Sequence, residues 1–525
     1  MMVLKHPKAF SGILALPEEI IHGILTELDY VSLSSCRLVC RYMNGLFEHS
    51  AQLRYNFELG LDGLVNGPCC NMSSRDRLDL LLRSRKAWRK PGWRKACDAQ
   101  IVGEFRVSEI VDNVFAGLSH DCLRFDAYSL ALSGSSRCWG ELHWSFDGNT
   151  SAHGFAMDPS QDLVIFMTNL PCCQCAQHNV ALEIRSLSTA SQHPEAIRRQ
   201  HPFFIPFTPD GVSKVCEDVV MQITGNLLAI ILTMQEDCWR TMLWDWTDGS
   251  LLLDRTTTWH EEILVLSPTA YIITSVAGQG SIDIYSLRVT DDSSRLASVH
   301  VGSLSLPPIN SDAQLVWFSG HLSVYPAPSQ SPQPFLPAND SAIISMVLEY
   351  ENEPAGADFV TELHVPSKVF LSYIQDYECS EAMPVLEPWN EWGPLDTRMF
   401  VTPAEPIFES HNYGQRVIHS PEPVPSQPGM TLVEVLDFNP HAARSFPCDA
   451  FGYPTKTRLQ VHHEPSVIRN PDIFSECVVT LLPYTSMGSY VEGSFSGFVL
   501  DDERLIGIRG IVTAEVINQL TIFML

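Results

Sequence analysis

From about Ile101 onward the chain is a succession of short segments rich in Val, Ile and Thr, separated by Gly, Pro, Asp and Ser turns. Segments at Leu163–Thr168, Ala181–Leu187, Leu227–Met234, Thr241–Trp246, Ile263–Leu266, Tyr271–Ser275 and Ile282–Leu287 read as strands. Ile343–Glu349, Val433–Phe438, Cys477–Leu482 and Gly497–Arg509 continue the pattern. No long helical pattern alternates with them. A parallel sheet needs a crossover helix between its strands, so an antiparallel, all-β body is expected instead.

A loose repeat runs through this region. Gly225–Leu252 reads strand, loop, strand, then Trp244-Asp245-Trp246 and a turn, and Ser267–Leu287 and Ser160–Thr189 follow the same scheme. A period of about 40 to 50 residues built from antiparallel strands fits the blades of a β-propeller, and this body has room for roughly six to eight. A pair of β-sandwiches is the alternative. The Pro-rich stretches Tyr325–Pro337 and Ser420–Met430 cannot lie in central strands and read as surface loops.

The N-terminal segment is different. In "LPEEIIHGILTELDYVSLSSCRLVCRYM" (Leu16 to Met43), Pro17 suits the first turn of a helix, and Glu18 and Glu19 complement its positive end. Ile20, Ile24, Leu25 and Leu28 recur at helical spacing, and Ser32 is placed to cap a second helix. Leu33, Cys36, Cys40, Met43 and Phe47 then recur at intervals of three and four. So small a helical bundle has more apolar surface than it can cover by itself. Either the rest of the chain or a partner must cover it, and an isolated 1–60 fragment is expected to aggregate or remain molten unless a partner covers that surface.

Leu78, Leu81, Leu82 and Trp88 fit a further helix that Ser74 is placed to cap and that stops before Pro91. Seven of the 13 residues from Arg83 to Lys95 are basic. With Trp88 and Trp93 interleaved, the tract reads as a connector with a solvated basic face rather than a nuclear address or a phosphate site. The expected division is a helical module at 1–60, a basic connector at 61–100 and the β body at 101–525.

Residues 1–100 hold 14 of the 34 Lys and Arg and 10 of the 61 Asp and Glu, which leaves 20 basic and 51 acidic groups in the body. Such a body repels nucleic-acid phosphates and anionic membrane surfaces. It favours basic partner surfaces over phosphorylated ones, because phosphate recognition needs clustered arginines and Arg198-Arg199 is its main sequence-local group. No secretory leader and no bilayer-spanning apolar run is read, and the 15 cysteines fit reduced thiols in the cytosol or nucleus.

Catalytic signatures fail one by one. Cys172, Cys173, Cys175 and His178 crowd together, but no second ligand pair stands nearby to close a zinc loop. Gly493–Gly497 has Phe495 where a nucleophile elbow needs serine, and no phosphate-binding Gly-Lys loop occurs. Adjacent His462, His463 and Glu464 lack the spacing of a helical metal pair. Catalytic, cofactor-binding and metal residues are therefore expected to be none.

Leu16-Pro17-Glu18-Glu19-Ile20, Ile24-Leu25, Leu28-Asp29, Leu33 and Leu38-Val39-Cys40-Arg41 resemble the F-box motif. The resemblance implies a three-helix module docking on the Skp adaptor of cullin-based ubiquitin ligases. The residues it assigns to adaptor contact are Leu16, Pro17, Ile20, Ile24, Leu25, Leu28, Val39, Cys40 and Met43. Met43 departs from the pattern, since F-boxes usually carry an aromatic there; its flexible thioether still fills an apolar pocket. Farther on, Trp389–Phe400, Tyr413–Ile418, Val433–Pro440 and Leu482–Tyr484 look like the F-box proteins abundant in mushroom-forming fungi. The expected fold is therefore a multidomain α+β chain: a small three-helix F-box followed by a large all-β, propeller-like domain. Its implied role is the substrate-recognition subunit of a Skp–cullin–F-box ligase, with a protein substrate on the β domain. A binding scaffold outside any ligase is the alternative.

Overall fold

The computed structural model describes residues 12–525 except 131–140, 170–178, 205–215, 290–295, 323–333, 403–411, 424–428, 442–457 and some shorter breaks. The chain divides into a helical unit, Met1–Lys90 with Pro332–Leu336, and a β unit, Pro91–Ser331 with Pro337–Leu525. Arg94–Gln100, which the sequence places in the basic connector, is a strand of the β unit.

Among the described residues the β unit holds seven sheets of four antiparallel strands, one of them extended by the short parallel strand Val385–Glu387, and a two-stranded sheet, Ser466–Ile468 with Val478–Thr480. The innermost strands of the seven are Phe105–Val111, Ala152–Asp158, Cys216–Thr224, Glu261–Ser267, Gln314–His321, Arg416–Pro423 and Gly497–Leu500, numbered here as blades 1 to 7. The inner strands of blades 1, 2, 3, 4 and 6 each run beside the inner strand of the next blade, and apolar layers form between neighbours. Phe125 meets Phe155 and Phe166 between blades 1 and 2. Leu227, Leu243, Ile263 and Val265 fill the next-but-one gap, between blades 3 and 4.

Blade 7 closes the ring. Three of its strands come from the C-terminal end, and the fourth is Arg94–Gln100, which pairs antiparallel with Val516–Met524. Asp98 accepts a 2.9 Å hydrogen bond from Thr521 across that pairing. Val499, Ile506 and Leu520 of blade 7 then pack on Phe105, Phe115 and Tyr128 of blade 1. A strand from one end of the unit completing a sheet from the other removes two exposed edges at once. The β unit is propeller-like.

Individual motifs explain the irregular repeat. In blade 3, Asp245 accepts from Asn226 Nδ2 (2.5 Å) and the Thr247 amide (3.0 Å), and Trp246 donates to the Gly225 carbonyl at 2.9 Å. The Trp-Asp-Trp stretch thus ties two hairpin turns together. Blade 5 is longer because helices Ser367–Ser380 and Trp389–Asp396 are inserted before its last strand, Arg398–Val401. Trp392 is buried and donates to the Ser305 carbonyl at 2.8 Å, in a helix containing Pro394 rather than the tight turn that Trp-Gly-Pro suggests. The Gly497–Arg509 segment is two strands, Gly497–Leu500 and Arg504–Ile511, split by a turn.

The helical unit comprises α1 (Glu18–Thr26), α2 (Tyr30–Val39), α3 (Arg41–His49), α4 (Ala51–Leu61) and α5 (Ser74–Trp88). Ile21, Leu25, Leu33, Met43, Leu46, Phe47, Leu53 and Phe57 form its main core. Phe47 and Phe57 meet edge to face, 5.3 Å apart. The module therefore covers part of its own apolar surface, chiefly through α4, which the motif-based reading does not include. Tyr55, Leu59, Leu78, Leu81 and Phe335 form a second cluster that carries α5. Arg85 of α5 bridges Glu58 at 2.7 Å and Asp62 at 2.9 Å, so part of the basic tract is an internal ion pair. Among the described residues no helix is long and apolar enough to cross a membrane.

Candidate functional site

The helical unit presents a set of apolar side chains that its own core leaves uncovered. Ile13, Leu16, Ile20, Ile24, Val31, Leu38, Val39 and Tyr42 are all exposed, Leu38 by 86% and Val39 by 71%. They fall within 30 residues, on the turn before α1, on α1 and α2, and at the start of α3. A water-facing Leu or Ile alone is unremarkable, but a concentration of this kind marks an interaction surface.

Local rules place these side chains. Pro17 is the N-cap of α1, with Glu18 and Glu19 in the first turn. Asp29 caps α2, its carboxylate accepting from the Ser32 amide at 2.8 Å and the Ser32 hydroxyl at 3.0 Å. The cap is thus Asp29 and not Ser32, because Asp29 is the last extended residue and its side chain reaches the free amide. The bond from the Ser32 amide, helped by that from its hydroxyl, holds the Asp29 carboxyl below the usual range. Cys40 is extended (φ −160°, ψ 164°) and separates α2 from α3, so Leu33 to Phe47 is two helices rather than one.

The nine residues assigned from the motif divide by burial. Leu16, Pro17, Ile20, Ile24 and Val39 are exposed on the candidate face. Leu28 and Cys40 are half-buried against the core. Leu25 (3%) and Met43 (5%) lie inside the core, so they support the face from beneath and offer no surface of their own. The apolar stripe read along α1 mixes two faces: Ile21 and Leu25 point inward, Ile20 and Ile24 outward. Ile13, Val31, Leu38 and Tyr42 join the face although the motif did not select them. Their apolar character at exposed helical positions is the only signal they carry.

Residues 13–57 match the F-box-like family. The N-terminal helices are an F-box-like domain. Its span takes in α1 to α3 and most of α4, and all eight exposed apolar residues lie within it. No curated protein matches the chain. Among solved structures, the Nup133 β-propeller domain of Vanderwaltozyma polyspora is 8% identical, covering 82% of this chain and 97% of that one, with a TM-score of 0.36. The WD40 domain of SCAP from fission yeast is 12% identical over 76% of this chain and 98% of that one, with a TM-score of 0.29. These superpositions are loose, and the propeller-like architecture is read from the strand pairing itself.

Other motifs resolve into structure. Arg398 is buried, donates to the carbonyls of Glu464 (2.9 Å) and Leu482 (3.4 Å), and lies over the Tyr484 ring at 4.8 Å. It ties blade 5 to the chain around blade 6. Among the described residues no group of three or more His, Cys, Asp or Glu side chains is arranged to hold a metal. Cys172, Cys173, Cys175 and His178 lie outside the described residues. Cys36, Cys40, Cys97, Cys122, Cys238, Cys379 and Cys477 are free thiols.

Proposed function

We propose that this chain is the substrate-recognition subunit of a Skp–cullin–F-box ubiquitin ligase. The observation that carries the reading is the exposed apolar set Leu16, Ile20, Ile24, Leu38 and Val39 on an F-box-like domain. A Skp-type adaptor is the partner that covers this face, and a cullin joins through the adaptor. The β unit supplies the receptor for a protein substrate; transfer chemistry belongs to the ligase's other subunits. The free thiols fit a cytosolic or nuclear setting.

Burial of large aliphatic side chains, worth up to about 1.5–3 kcal/mol each when taken from full exposure, is the favourable contribution set against the cost of association. The test is titration of purified adaptor into the full chain by calorimetry. Saturable one-to-one binding with a negative heat-capacity change supports the reading. Absence of binding by folded protein overturns it.

A further inference from the structure

The β unit carries an aromatic cluster drawn from three blades. Trp239 is the second residue of the third strand of blade 3, Cys238–Asp245; Trp259 and His260 lie in the link from blade 3 to blade 4, and Trp317 sits on the inner strand of blade 5. The His260 ring stacks on Trp317 at 3.9 Å and 30°, and meets Trp239 edge-on at 5.8 Å. His260 is buried, yet Trp259 and Trp317 stay 40% and 39% exposed. A cluster serving only to staple blades together would bury its indoles. Here two indole side chains are left partly in water, one of them stacked on a buried imidazole.

The surroundings are acidic. Trp259 Nε1 donates to Glu261 Oε1 at 2.8 Å, and Arg255 donates to the same oxygen at 2.9 Å. Glu261 is 1% exposed, and its Oε2 has no hydrogen-bond partner; neither has Trp239 Nε1 or His260 Nδ1. Glu262 lies 3.6 Å from His260 Nε2 and accepts from the Gly320 amide at 2.9 Å. Asp283 acts electrostatically on Glu261, and Glu349 is the cross-strand neighbour of Trp317. Arg240, beside Trp239, is already held by Asp254 at 2.7 and 2.8 Å. Glu261, Glu262 and Asp283 set against the paired Arg255, in a chain of net charge −27, make this a place for a cation.

We propose that Trp239, His260 and Trp317, with Trp259 beside them, form a docking site for an arginine-bearing basic segment of a protein partner. Indole faces attract a guanidinium through the ring quadrupole, and its planar fork both stacks and pairs with carboxylate oxygens. Lysine offers a point charge without the stacking plane, and a phosphorylated segment meets carboxylates where it needs arginines. The proposal deepens the receptor role of the β unit, on which it rests, by naming the chemistry of the segment it holds.

The test uses the full chain and a short fluorescein-labelled peptide of alternating arginine and glycine, followed by fluorescence polarisation. A second peptide carries citrulline, which keeps the planar side chain and removes the charge; a third carries phosphoserine. Expected are saturable binding of the arginine peptide, weakening with salt, and an affinity loss of about tenfold or more with citrulline or with Trp317→Ala. Equal binding of arginine and citrulline peptides, preference for phosphoserine, or wild-type affinity in Trp317→Ala overturns the proposal. If Trp317→Ala fails to fold, Trp259→Ala, which removes an exposed ring, is held to the same criterion. Adaptor titration on the same variants separates the two readings, because it reports the F-box-like face and is expected to be unchanged.

Discussion

Ile20 and Ile21 are neighbours on α1 with opposite fates: Ile21 is fully buried in the helical core, and Ile20 is 53% exposed. One holds the domain together, and the other faces outward among Leu16 and Ile24. Ile21→Ala should therefore destabilise the helical unit by about 2–5 kcal/mol, the usual cost of emptying a buried aliphatic site. Ile20→Ala should stay within about 0.5 kcal/mol of wild type. Denaturant unfolding followed by hydrogen exchange on α1 to α4 reads both values, and equal losses would show that the faces are misassigned.

Arg85 stands between Glu58 and Asp62 at 2.7 and 2.9 Å, with all three side chains largely shielded. Arg85→Met keeps the aliphatic stem and leaves two carboxylates without their cation. A loss of about 1–3 kcal/mol in the helical unit is expected, partly restored by the added change Asp62→Asn. Restoration by the second substitution is the informative readout, since lost packing alone would not be repaired by it.

Ring closure makes a truncation prediction. A chain starting at residue 91 keeps Arg94–Gln100, whereas one starting at 101 leaves Val516–Met524 as an open edge and exposes apolar surface on blade 7. The longer fragment should unfold in a single cooperative transition, and the shorter should unfold earlier in denaturant and aggregate. Indistinguishable transitions would remove the closing role from that strand.

His364 supplies a pH dependence. It is fully buried, bonded to the Ser345 hydroxyl at 2.8 Å, and lies 3.8 Å from Glu362, with His419 and His321 also acting on that carboxylate. Burial pushes the His364 pKa down from 6.5 to about 4. The unfolded chain then binds the proton first, so stability falls as pH drops from 6.5 towards 4, by up to roughly 3 kcal/mol. Burial works to raise Glu362, but His419 and His364 outweigh it and hold its carboxyl below the usual range. The urea midpoint measured from pH 7 downward should decline in wild type and flatten in His364→Asn; parallel profiles would contradict this assignment.

The β architecture was legible because its signals are local: apolar runs such as Leu227–Met234 and turn residues between them specify hairpins before any distant contact forms. The closing strand was not. Its sequence, RKACDAQ, is largely polar and mostly exposed at the outer edge of a sheet, so it reads as connector. Nor could periodicity separate the faces of α1, where Ile20, Ile21, Ile24 and Leu25 make nearly every side apolar. Four apolar residues in six fit a core stripe and a docking stripe equally well. Trp239, His260 and Trp317 are spread along the chain, and only the packing of consecutive blades brings them together.

If the outward face of the F-box-like domain, and not its core, binds a Skp-type adaptor, charge placed on that face must weaken the complex without unfolding the chain. The comparison is the adaptor affinity of three full-length proteins: wild type, Ile20→Asp and Leu38→Asp. Both substituted positions are exposed, so the free protein should keep its stability, while a bound carboxylate would be buried without a partner at a cost of about 1–3 kcal/mol or more. Unchanged unfolding curves and at least about a tenfold loss of adaptor affinity are expected in each variant. Wild-type affinity in both, from folded protein, would contradict that assignment of the face.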